Sequence, residues 1–364
     1  MAVSCGIVGL PNVGKSTIFN ALTRSAQALA ANYPFATIEP NVGEVAVPDL
    51  RLGVLREIVS GKKIVPATVR FTDIAGLVRG ASQGQGLGNA FLGHIREVDA
   101  IAMVVRCFED ENVTHVEGGP DPVRDIEIIA VELALSDLAT MRKRLDKLER
   151  EARANPKLRD EFEAAKRIVA QLEEAKPART FPADSLEAKV AREAFLLTGK
   201  PLLYVANIDE AQIGNPGPLV AQVAAVARAE GARMVTICGQ VEAELSGLTP
   251  EEAVEFCNEL GIKRPGLDEL ALEAYELLGL MTFLTAGEIE VRAWTIEKGT
   301  RAPQAAGKIH SDIERGFIRA EIVSYEDHVA YRTMDAMRSA GVVRAEGKEY
   351  VMREGDVVNF RFNV

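Results

Sequence analysis

A loop that could bind phosphate lies near the start of the chain, in the segment GLPNVGKS between Gly9 and Ser16. Its spacing is G-x4-G-K-[ST], and it lies between an apolar strand-like run and a helical pattern. The glycines let the backbone wrap around a phosphate, whose charge is met by successive N–H groups and by the helix N-terminus. Lys15 could neutralise β- and γ-phosphate oxygens, and the Ser16 hydroxyl could bind Mg²⁺. The motif predicts a nucleoside-triphosphate site formed by Asn12, Val13, Gly14, Lys15, Ser16 and Thr17.

Two further segments could complete the metal and γ-phosphate site. Asp73 and Gly76 form a D-x-x-G motif at the end of a strand-like run. Asp73 would hold Mg²⁺ through its water shell, and the Gly76 amide would contact the γ-phosphate. Thr37, in the loop between the two motifs, could reach the metal when the γ-phosphate is present. The predicted metal ligands are therefore Ser16, Thr37 and Asp73.

The segment expected to read the base departs from the guanine-specific pattern N-K-x-D. Ile208 stands at the Lys position and Glu210 at the Asp position. A Glu is one methylene longer, so it cannot keep the same bidentate contact with guanine without backbone movement. The 6-amino group of adenine could instead donate to the Asn207 side chain or to a backbone carbonyl. With Cys238 and Gly239 as the opposite wall of the pocket, these residues favour ATP over GTP or indicate a relaxed choice.

The residue that positions the attacking water is less clearly marked. Switch GTPases often place Gln directly after D-x-x-G, and Leu77 occupies that position here. Either hydrolysis is slow or another group orients the water. His94 and His115 are the histidines of the first 280 residues, and either could do so. We take His115 as the first candidate, and the predicted catalytic set is Lys15, Leu77 and His115.

The elements that must position these residues are those of an α/β protein with a mainly parallel sheet. Strand-like and helical runs alternate as far as residue 280, with the strand-like runs at 3–9, 68–72, 100–107, 201–206 and 233–238. Apolar residues at gaps of three and four then predict an antiparallel helical hairpin, over 131–152 and 158–172, inserted at about 131–195. Asn155-Pro156 should end its first helix.

The part from 281 to 364 differs in pattern and predicts a separate α+β domain. Its strand-like runs fall at 288–296, 317–323, 349–352 and 357–362. Residues 1–280 would then be the P-loop domain with its helical insertion. The basic residues of the second domain could contact rRNA phosphates if they share a face, or could simply be solvated; they are Arg292, Lys298, Arg301, Lys308, Arg315 and Arg319.

Composition restricts the class of protein. The 364 residues are 47% apolar and 26% charged, as in ordinary globular chains, and the net charge of −11 disfavours non-specific coating of nucleic acid. We find no stretch long enough to span a membrane and no signal-peptide pattern, so we expect a cytoplasmic protein. The four cysteines have no CxxC pair, which argues against a zinc site and favours core packing for Cys5, Cys107 and Cys238.

Together these motifs resemble the YchF family of Obg-like ATPases, a branch of the P-loop GTPases. The resemblance is carried by GIVGLPNVGKST, by DIAGLVRGASQGQGLGN, by the N-x-x-E element with the inserted hairpin, and by RAWTIEKGTRAPQAAGKIHSDIERGFIRAE. The last run is similar to the TGS domain, a ubiquitin-like β-grasp module. The resemblance implies hydrolysis of ATP to ADP and phosphate with Mg²⁺, and association with the large ribosomal subunit. It also implies a catalytic His at His115 and a hydrophobic substitution at Leu77.

One position departs from the family and several functions stay open. Redox-sensitive members have Cys where this chain has Ala36, so redox control through that position is not expected. A GTPase of the same fold, or an adaptor whose nucleotide controls docking on the ribosome or RNA, remains an alternative. A small-molecule kinase fits the D-x-x-G motif and the TGS-like run poorly. We expect the rRNA contacts to come from the TGS-like domain and the helical arm, and we expect a monomer.

Overall fold

A computed structural model describes residues 3–31, 41–74, 87–110 and 118–363. Contacts divide the chain into two compact units. The first unit contains Met1–Val45 and Arg70–Leu277, and the second contains Ala46–Val69 and Leu278–Val364.

The described elements alternate between strand and helix, as the sequence predicts for an α/β chain. The strands are β1 (Ser4–Val8), β2 (Val42–Ala46), β3 (Ile64–Val65), β4 (Thr68–Asp73), β5 (Ala100–Arg106), β6 (Leu202–Asn207), β7 (Arg233–Ile237), β8 (Leu280–Ala286), β9 (Val291–Glu297), β10 (Phe317–Val323), β11 (Arg344–Glu346) and β12 (Val357–Phe362). The helices are α1 (Lys15–Ala31), α2 (Leu50–Val59), α3 (Leu87–Glu97), α4 (Pro122–Ala154), α5 (Arg159–Glu173), α6 (Leu186–Glu193), α7 (Pro218–Glu230), α8 (Gly239–Leu245), α9 (Pro250–Glu259), α10 (Gly266–Leu277), α11 (Ala302–Ile309), α12 (Ser311–Arg315), α13 (Tyr325–Tyr331) and α14 (Met334–Ser339).

The first unit is built on a sheet with the strand order β2-β4-β1-β5-β6-β7. From β4 to β7 the neighbouring strands are parallel. Every residue of β5 and of β6 is buried, because helices cover both faces of such a sheet. The carboxyl ends of parallel strands meet at one edge, which is where ligands bind in open α/β sheets. The predicted α/β fold is confirmed. At most of their ends, the predicted strands of this sheet differ from the observed strands by one residue.

The long helix α4 has 33 residues and changes its packing along its length. Its first half buries Ile126 and Ile129 and contacts β5 and α7, whereas its second half packs against α5, which turns back along it. The predicted seam began at Val131, but this side chain is 44% exposed and therefore does not belong to the seam. Farther along, the seam is buried in a cluster with α5 that includes Ala134, Met141, Leu148, Ile168 and Leu172.

Two capping interactions fix the ends of α4. The Asp121 side chain accepts from the Arg124 N–H at 3.1 Å, and Pro122 occupies the first turn, where its missing donor costs nothing. The helix ends at Asn155, whose side chain accepts from the N–H of Lys157 at 3.2 Å in the short turn before α5. The predicted stop at Asn155-Pro156 is confirmed.

The second unit contains a sheet with the order β11-β10-β12-β8-β9-β3. Its core includes Phe283, Phe317 and Phe360, whose rings contact one another, against the alanines of α11. The strand predicted at 349–352 is wrong, since only an isolated bridge joins Val351 to Arg301 there. Conversely, β8 was not predicted, although it lies at the centre of the sheet.

Residues 46–69 also belong to the second unit, whereas the sequence division at residue 280 assigned them to the first domain. The reason is the pairing of β3, a two-residue strand, with β9 in parallel, through Ile64 with Val291 and Val65 with Arg292. A strand this short has no local periodicity, so its partner is determined by packing alone.

The cysteines and the helices agree with the compositional expectations. Cys5, Cys107 and Cys238 are buried, as predicted, and burial raises the pKa of the Cys5 and Cys107 thiols to about 12. Such thiols are poor nucleophiles and metal ligands at neutral pH. In the described ranges, no helix combines the length and apolarity needed to cross a bilayer.

Candidate nucleotide-binding site

A pocket of about 970 Å³ opens at the carboxyl ends of the central strands of the first unit. Four segments contribute to it: the phosphate loop with the start of α1, the residues after β5, the turn after β6, and the turn after β7 with the start of α8. The residues of the predicted site that line it are Asn12, Gly14, Lys15, Ser16, Thr17, Asn207, Ile208 and Gly239. The structure therefore brings these residues together at one pocket, and their binding of a nucleotide stays a prediction.

The phosphate loop has the strained backbone that its glycine spacing requires. Gly14 has φ +89°, and a Cβ there would lie 2.0 Å from the Asn207 Nδ2. Helix α1 begins at the next residue, with the Ile18 N–H donating to the Gly14 carbonyl at 3.1 Å. The amides of the first turn have no partners within the helix and are directed to its N-terminal end. They are thus available to an anion, as the motif predicts.

Lys15 and Asp73 meet at the bottom of this loop. The Lys15 Nζ lies 3.6 Å from the Asp73 Oδ1, and Lys15 is only 9% exposed. The Asp73 Oδ1 is buried and has no hydrogen-bond partner among the described residues. A buried carboxylate oxygen without a donor is costly, and a hydrated cation beside it would remove that cost. The donor set of Asp73 and the exposed Ser16 hydroxyl therefore fits Mg²⁺, which prefers oxygen ligands and retains waters.

Asn207 joins the two walls of the pocket. Its Nδ2 donates to the Val13 carbonyl at 2.9 Å, and its Oδ1 accepts from the Gly239 N–H at 3.0 Å. The side chain is buried, and the residues it joins are 194 and 32 positions away in sequence. In this structure Asn207 thus ties the phosphate loop to the start of α8. Whether it also contacts the base stays a prediction.

The remaining residues of the predicted base site differ in position. Ile208 and Gly239 line the pocket, whereas the Cys238 thiol is buried and the exposed Glu210 does not line it. Asp209 does line the pocket, but its carboxylate accepts from the Gln212 N–H at 3.1 Å in a capping box. The carboxylate that would read guanine in N-K-x-D is therefore absent from the described wall.

Sequence reasoning missed the third wall, which follows β5. Phe108, Glu109 and Asp110 line the pocket. Arg106, which is 1% exposed, holds this segment: its Nε donates to the Phe108 carbonyl at 3.1 Å, its Nη2 donates to the Asp110 carbonyl at 3.2 Å, and its guanidinium lies 4.6 Å from the centroid of the Phe108 ring. The position of Phe108, two residues after the end of the buried strand β5, was the available signal.

Several predicted residues cannot be located in this way. Thr37, Gly76, Leu77 and His115 lie outside the described residues, as does Ala36. His94, the other candidate for positioning water, is an exposed residue of α3 and does not line the pocket.

The basic residues predicted to contact rRNA are largely paired with carboxylates of their own unit. Arg301 pairs with Glu349 at 2.7 Å and Arg319 with Glu321 at 3.0 Å. Arg315 pairs with an acidic neighbour on α12, and Arg292 with an acidic neighbour on the β8–β9 turn. Their charge is thus locally compensated.

Comparison with known proteins places the chain in a family. Residues 4–132 match the model MMR_HSR1, described as a 50S ribosome-binding GTPase, and residues 280–363 match YchF-GTPase_C, described as a protein of unknown function. The chain is 52% identical to the ribosome-binding ATPase YchF of Bacillus subtilis and 49% identical to that of Escherichia coli O157:H7, each over the whole of both chains.

A solved structure agrees with these sequence matches. The YchF GTPase of Schizosaccharomyces pombe superimposes with a TM-score of 0.89 at 40% identity, covering 99% of this chain and 97% of that one. Relatives of this family match the chain over its whole length, and their solved structure covers both of its units. The chain therefore belongs to the YchF family.

Proposed function

We propose that this protein is a ribosome-associated ATPase that binds ATP with Mg²⁺ and hydrolyses it to ADP and phosphate. The observation that carries the proposal is the pocket in which the phosphate loop faces a wall that Glu210, at the position of the guanine-reading Asp in N-K-x-D, does not line. The names of the relatives, which describe ribosome-binding ATPases, support it. Since ribosomes are the partner, we place the protein in the cytoplasm.

The phosphate end of the site is assigned as follows. Lys15 offsets negative charge that develops on the β- and γ-phosphate oxygens, helped by the amides of the first turn of α1. Ser16 and Asp73 hold Mg²⁺, with Thr37 as the third protein ligand. The metal, when bound, neutralises charge on the same phosphates. The proximity of Lys15 to the unpartnered Asp73 oxygen supports this arrangement.

The base end selects adenine by what it lacks. Guanine would bring N1–H and 2-amino donors that the Asp of N-K-x-D accepts, and Glu210, which stands at that position, does not line the pocket. Donors left without an acceptor are costly. Adenine has neither donor and leaves only its 6-amino group to be accepted. Phe108 and Ile208 supply apolar walls on which a base can pack. Through its hydrogen bonds to Val13 and Gly239, Asn207 fixes the base end of the pocket relative to the phosphate end.

Water positioning is assigned to His115. Leu77 has no group that could orient water, whereas an imidazole can act as a general base or as a hydrogen-bond acceptor. On this assignment a His115→Ala variant keeps its affinity for ATP and loses turnover.

Contact with the ribosome is assigned to the large subunit, through the second unit and the helical part of the first. The paired state of the basic residues limits how many rRNA phosphates they can contact. We propose that the protein acts as a monomer.

The deciding experiment titrates the purified chain with ATP and with GTP, with and without ribosomes, and follows phosphate release. We expect tighter binding of ATP, and turnover that Lys15→Ala reduces at least a hundredfold. An equal or tighter affinity for GTP would overturn the choice of nucleotide. Unchanged turnover in Lys15→Ala would overturn the site. Ribosome affinity that is the same with ATP and ADP would overturn a nucleotide-controlled role.

A further inference from the structure

A second cavity, far in sequence from the phosphate loop, lies within the second unit. It has a volume of about 830 Å³. The strands β8 and β12 pair at a single position, Leu284 with Val357, and the cavity opens beyond that pair. Thr285 lines it on one side, and Val358 and Phe360 line it on the other. Its size and its mainly apolar walls are those of a small-molecule site, provided that a few polar groups point into it.

The first such polar group is His328, on α13. The side chain lines the cavity and is only 6% exposed, yet its Nδ1 has no hydrogen-bond partner among the described residues. Burial lowers the pKa of this imidazole and thereby favours its neutral form. A buried imidazole nitrogen without a partner is unusual, because most buried polar atoms in native proteins are satisfied. A ligand in the cavity could supply the missing partner.

The second polar group is Arg332, four residues later. Its backbone has φ +59° and ψ −33°, and the turn around it is closed by the Thr333 N–H donating to the Tyr331 carbonyl at 2.7 Å. This is a γ-turn of the strained hand, and a non-glycine residue persists there only when something compensates for it. The Arg332 side chain lines the same cavity as His328 and forms no ion pair with any described residue.

Three carboxylates also line the cavity, and none of them forms an ion pair with Arg332 within the described part of the chain; Glu288 is exposed to solvent. Glu321 is held by Arg319 and Arg361, each at 3.0 Å, and Glu290 lies 3.5 Å from Arg292.

We propose that this cavity binds a small organic acid with an apolar body. The carboxylate pairs with the guanidinium of Arg332, an exposed side chain, in a charge-assisted hydrogen bond. The Nδ1 of His328, in the tautomer that carries its proton there, donates to the same carboxylate. The apolar body packs against Val358 and Phe360. This site is independent of the ATPase assignment, because every residue in it belongs to the second unit.

The chain contains its own reporter for the test. Trp294 is the single tryptophan, and its indole N–H donates to the Thr285 hydroxyl at 3.0 Å. Since Thr285 lines the cavity, a ligand should change the emission of Trp294. The full-length protein is titrated with sodium octanoate up to about 20 mM, the range expected for so small a ligand. Calorimetry provides a second readout. Octanol, which lacks the charge, and acetate, which lacks the apolar body, are the matched probes.

We expect saturable octanoate binding that is at least about tenfold tighter than that of octanol or acetate. Arg332→Ala should weaken it about tenfold or more. Arg338→Ala removes an exposed arginine of α14 that does not line the cavity and should leave it unchanged. Arg332→Gly should lose binding equally while keeping or raising the unfolding temperature, because glycine tolerates the positive φ.

Three results would overturn the proposal. The first is an absence of saturable octanoate binding by both fluorescence and calorimetry. The second is octanol binding as tightly as octanoate, which would make the cavity merely apolar. The third is an Arg332→Gly variant that folds and binds octanoate like the unchanged chain.

Discussion

Asn207 is a buried residue that connects two walls of the pocket through hydrogen bonds. Its amide links the Val13 carbonyl to the Gly239 N–H and so joins the phosphate loop to the start of α8. Replacement by Ala would leave both backbone groups buried without partners, at about 1–3 kcal/mol each. Pre-organisation of the pocket would be lost with them.

We therefore expect Asn207→Ala to weaken ATP binding at least tenfold and to lower the free energy of unfolding by about 2 kcal/mol. Titration with a fluorescent ATP analogue and urea denaturation measure the two effects. Asn215→Ala, in an exposed position of the loop that follows β6, is the control and should change neither. Equal affinities for ATP in the two variants would show that Asn207 does not contribute to nucleotide binding.

Glu242 is a buried carboxyl group that should make stability depend on pH. Burial raises its pKa to about 7, Asp268 and Glu269 add to the increase, and hydrogen bonds from the backbone N–H groups of Gly266 and Leu267 oppose it. Because the pKa is higher in the folded than in the unfolded chain, the folded state binds more protons between pH 4.5 and pH 7. The stabilising contribution is complete below the unfolded value and is lost as the pH rises towards 7.

Replacing Glu242 by glutamine, which has the same shape and no charge, tests whether this group makes stability depend on pH. Relative to the unchanged chain, Glu242→Gln should gain about 2–3 kcal/mol of unfolding free energy between pH 5 and pH 8. Urea denaturation without nucleotide at both pH values measures it. The exposed Glu251→Gln should give no such difference. Parallel pH profiles for the Glu242→Gln variant and the unchanged chain would contradict the prediction.

At the scale of elements, one buried side chain ties the long helix α4 to a segment far away in the sequence of its unit. Asp137 is 1% exposed and accepts three hydrogen bonds: from the Leu197 N–H at 2.9 Å, from the Thr198 N–H at 2.7 Å and from the Thr198 hydroxyl at 2.6 Å. This contact joins α4 to the turn that leads into β6, across 60 residues of sequence. It holds the helical part against the sheet.

Asp137→Ala should lower the free energy of unfolding by about 3 kcal/mol, because several buried donors lose their acceptor at once. Guanidinium denaturation followed by circular dichroism measures the change. Asp146→Ala, at an exposed position of the same helix, should change stability by less than about 0.5 kcal/mol. A loss of similar size in both variants would contradict the prediction, because Asp→Ala at an exposed helix position should not lower stability through helix propensity.

At the scale of the whole molecule, the charge distribution should determine how strongly salt weakens binding to the ribosome. The net charge is −11, and four of the basic residues predicted to contact rRNA are paired with carboxylates. A protein that neutralises six to ten phosphates loses about 10³–10⁵ in affinity between 50 and 200 mM salt. One or two phosphate contacts cost only about three- to twelvefold over the same range.

We expect the affinity for the ribosome to fall only about three- to twelvefold between 50 and 200 mM salt. Co-sedimentation with purified large subunits between 50 and 200 mM KCl measures it, with the nucleotide held constant. A decrease of a thousandfold or more would contradict the prediction and would indicate an extensive phosphate interface.

Much of the fold and half of the site could be predicted from local patterns. The phosphate loop requires a fixed spacing of glycines, lysine and serine, and apolar runs identify the strands that become buried on both faces, such as β5 and β6. Phe108 could not be assigned in this way, because its role depends on the buried Arg106 that holds it at the pocket. Likewise, the pairing of Asn207 with Val13 joins residues 194 positions apart.

The amino-acid sequence by itself determined the spacing of the phosphate-loop motif, the alternation of strands and helices and most of the seam of the helical hairpin, because each depends on residues that lie close together along the chain. Only the tertiary structure decided that residues 46–69 complete the second unit, that Glu210 is excluded from the base wall, and that His328 and Arg332 face one cavity. These features depend on which distant surfaces pack against one another, and packing is a property of the whole folded chain rather than of any local pattern.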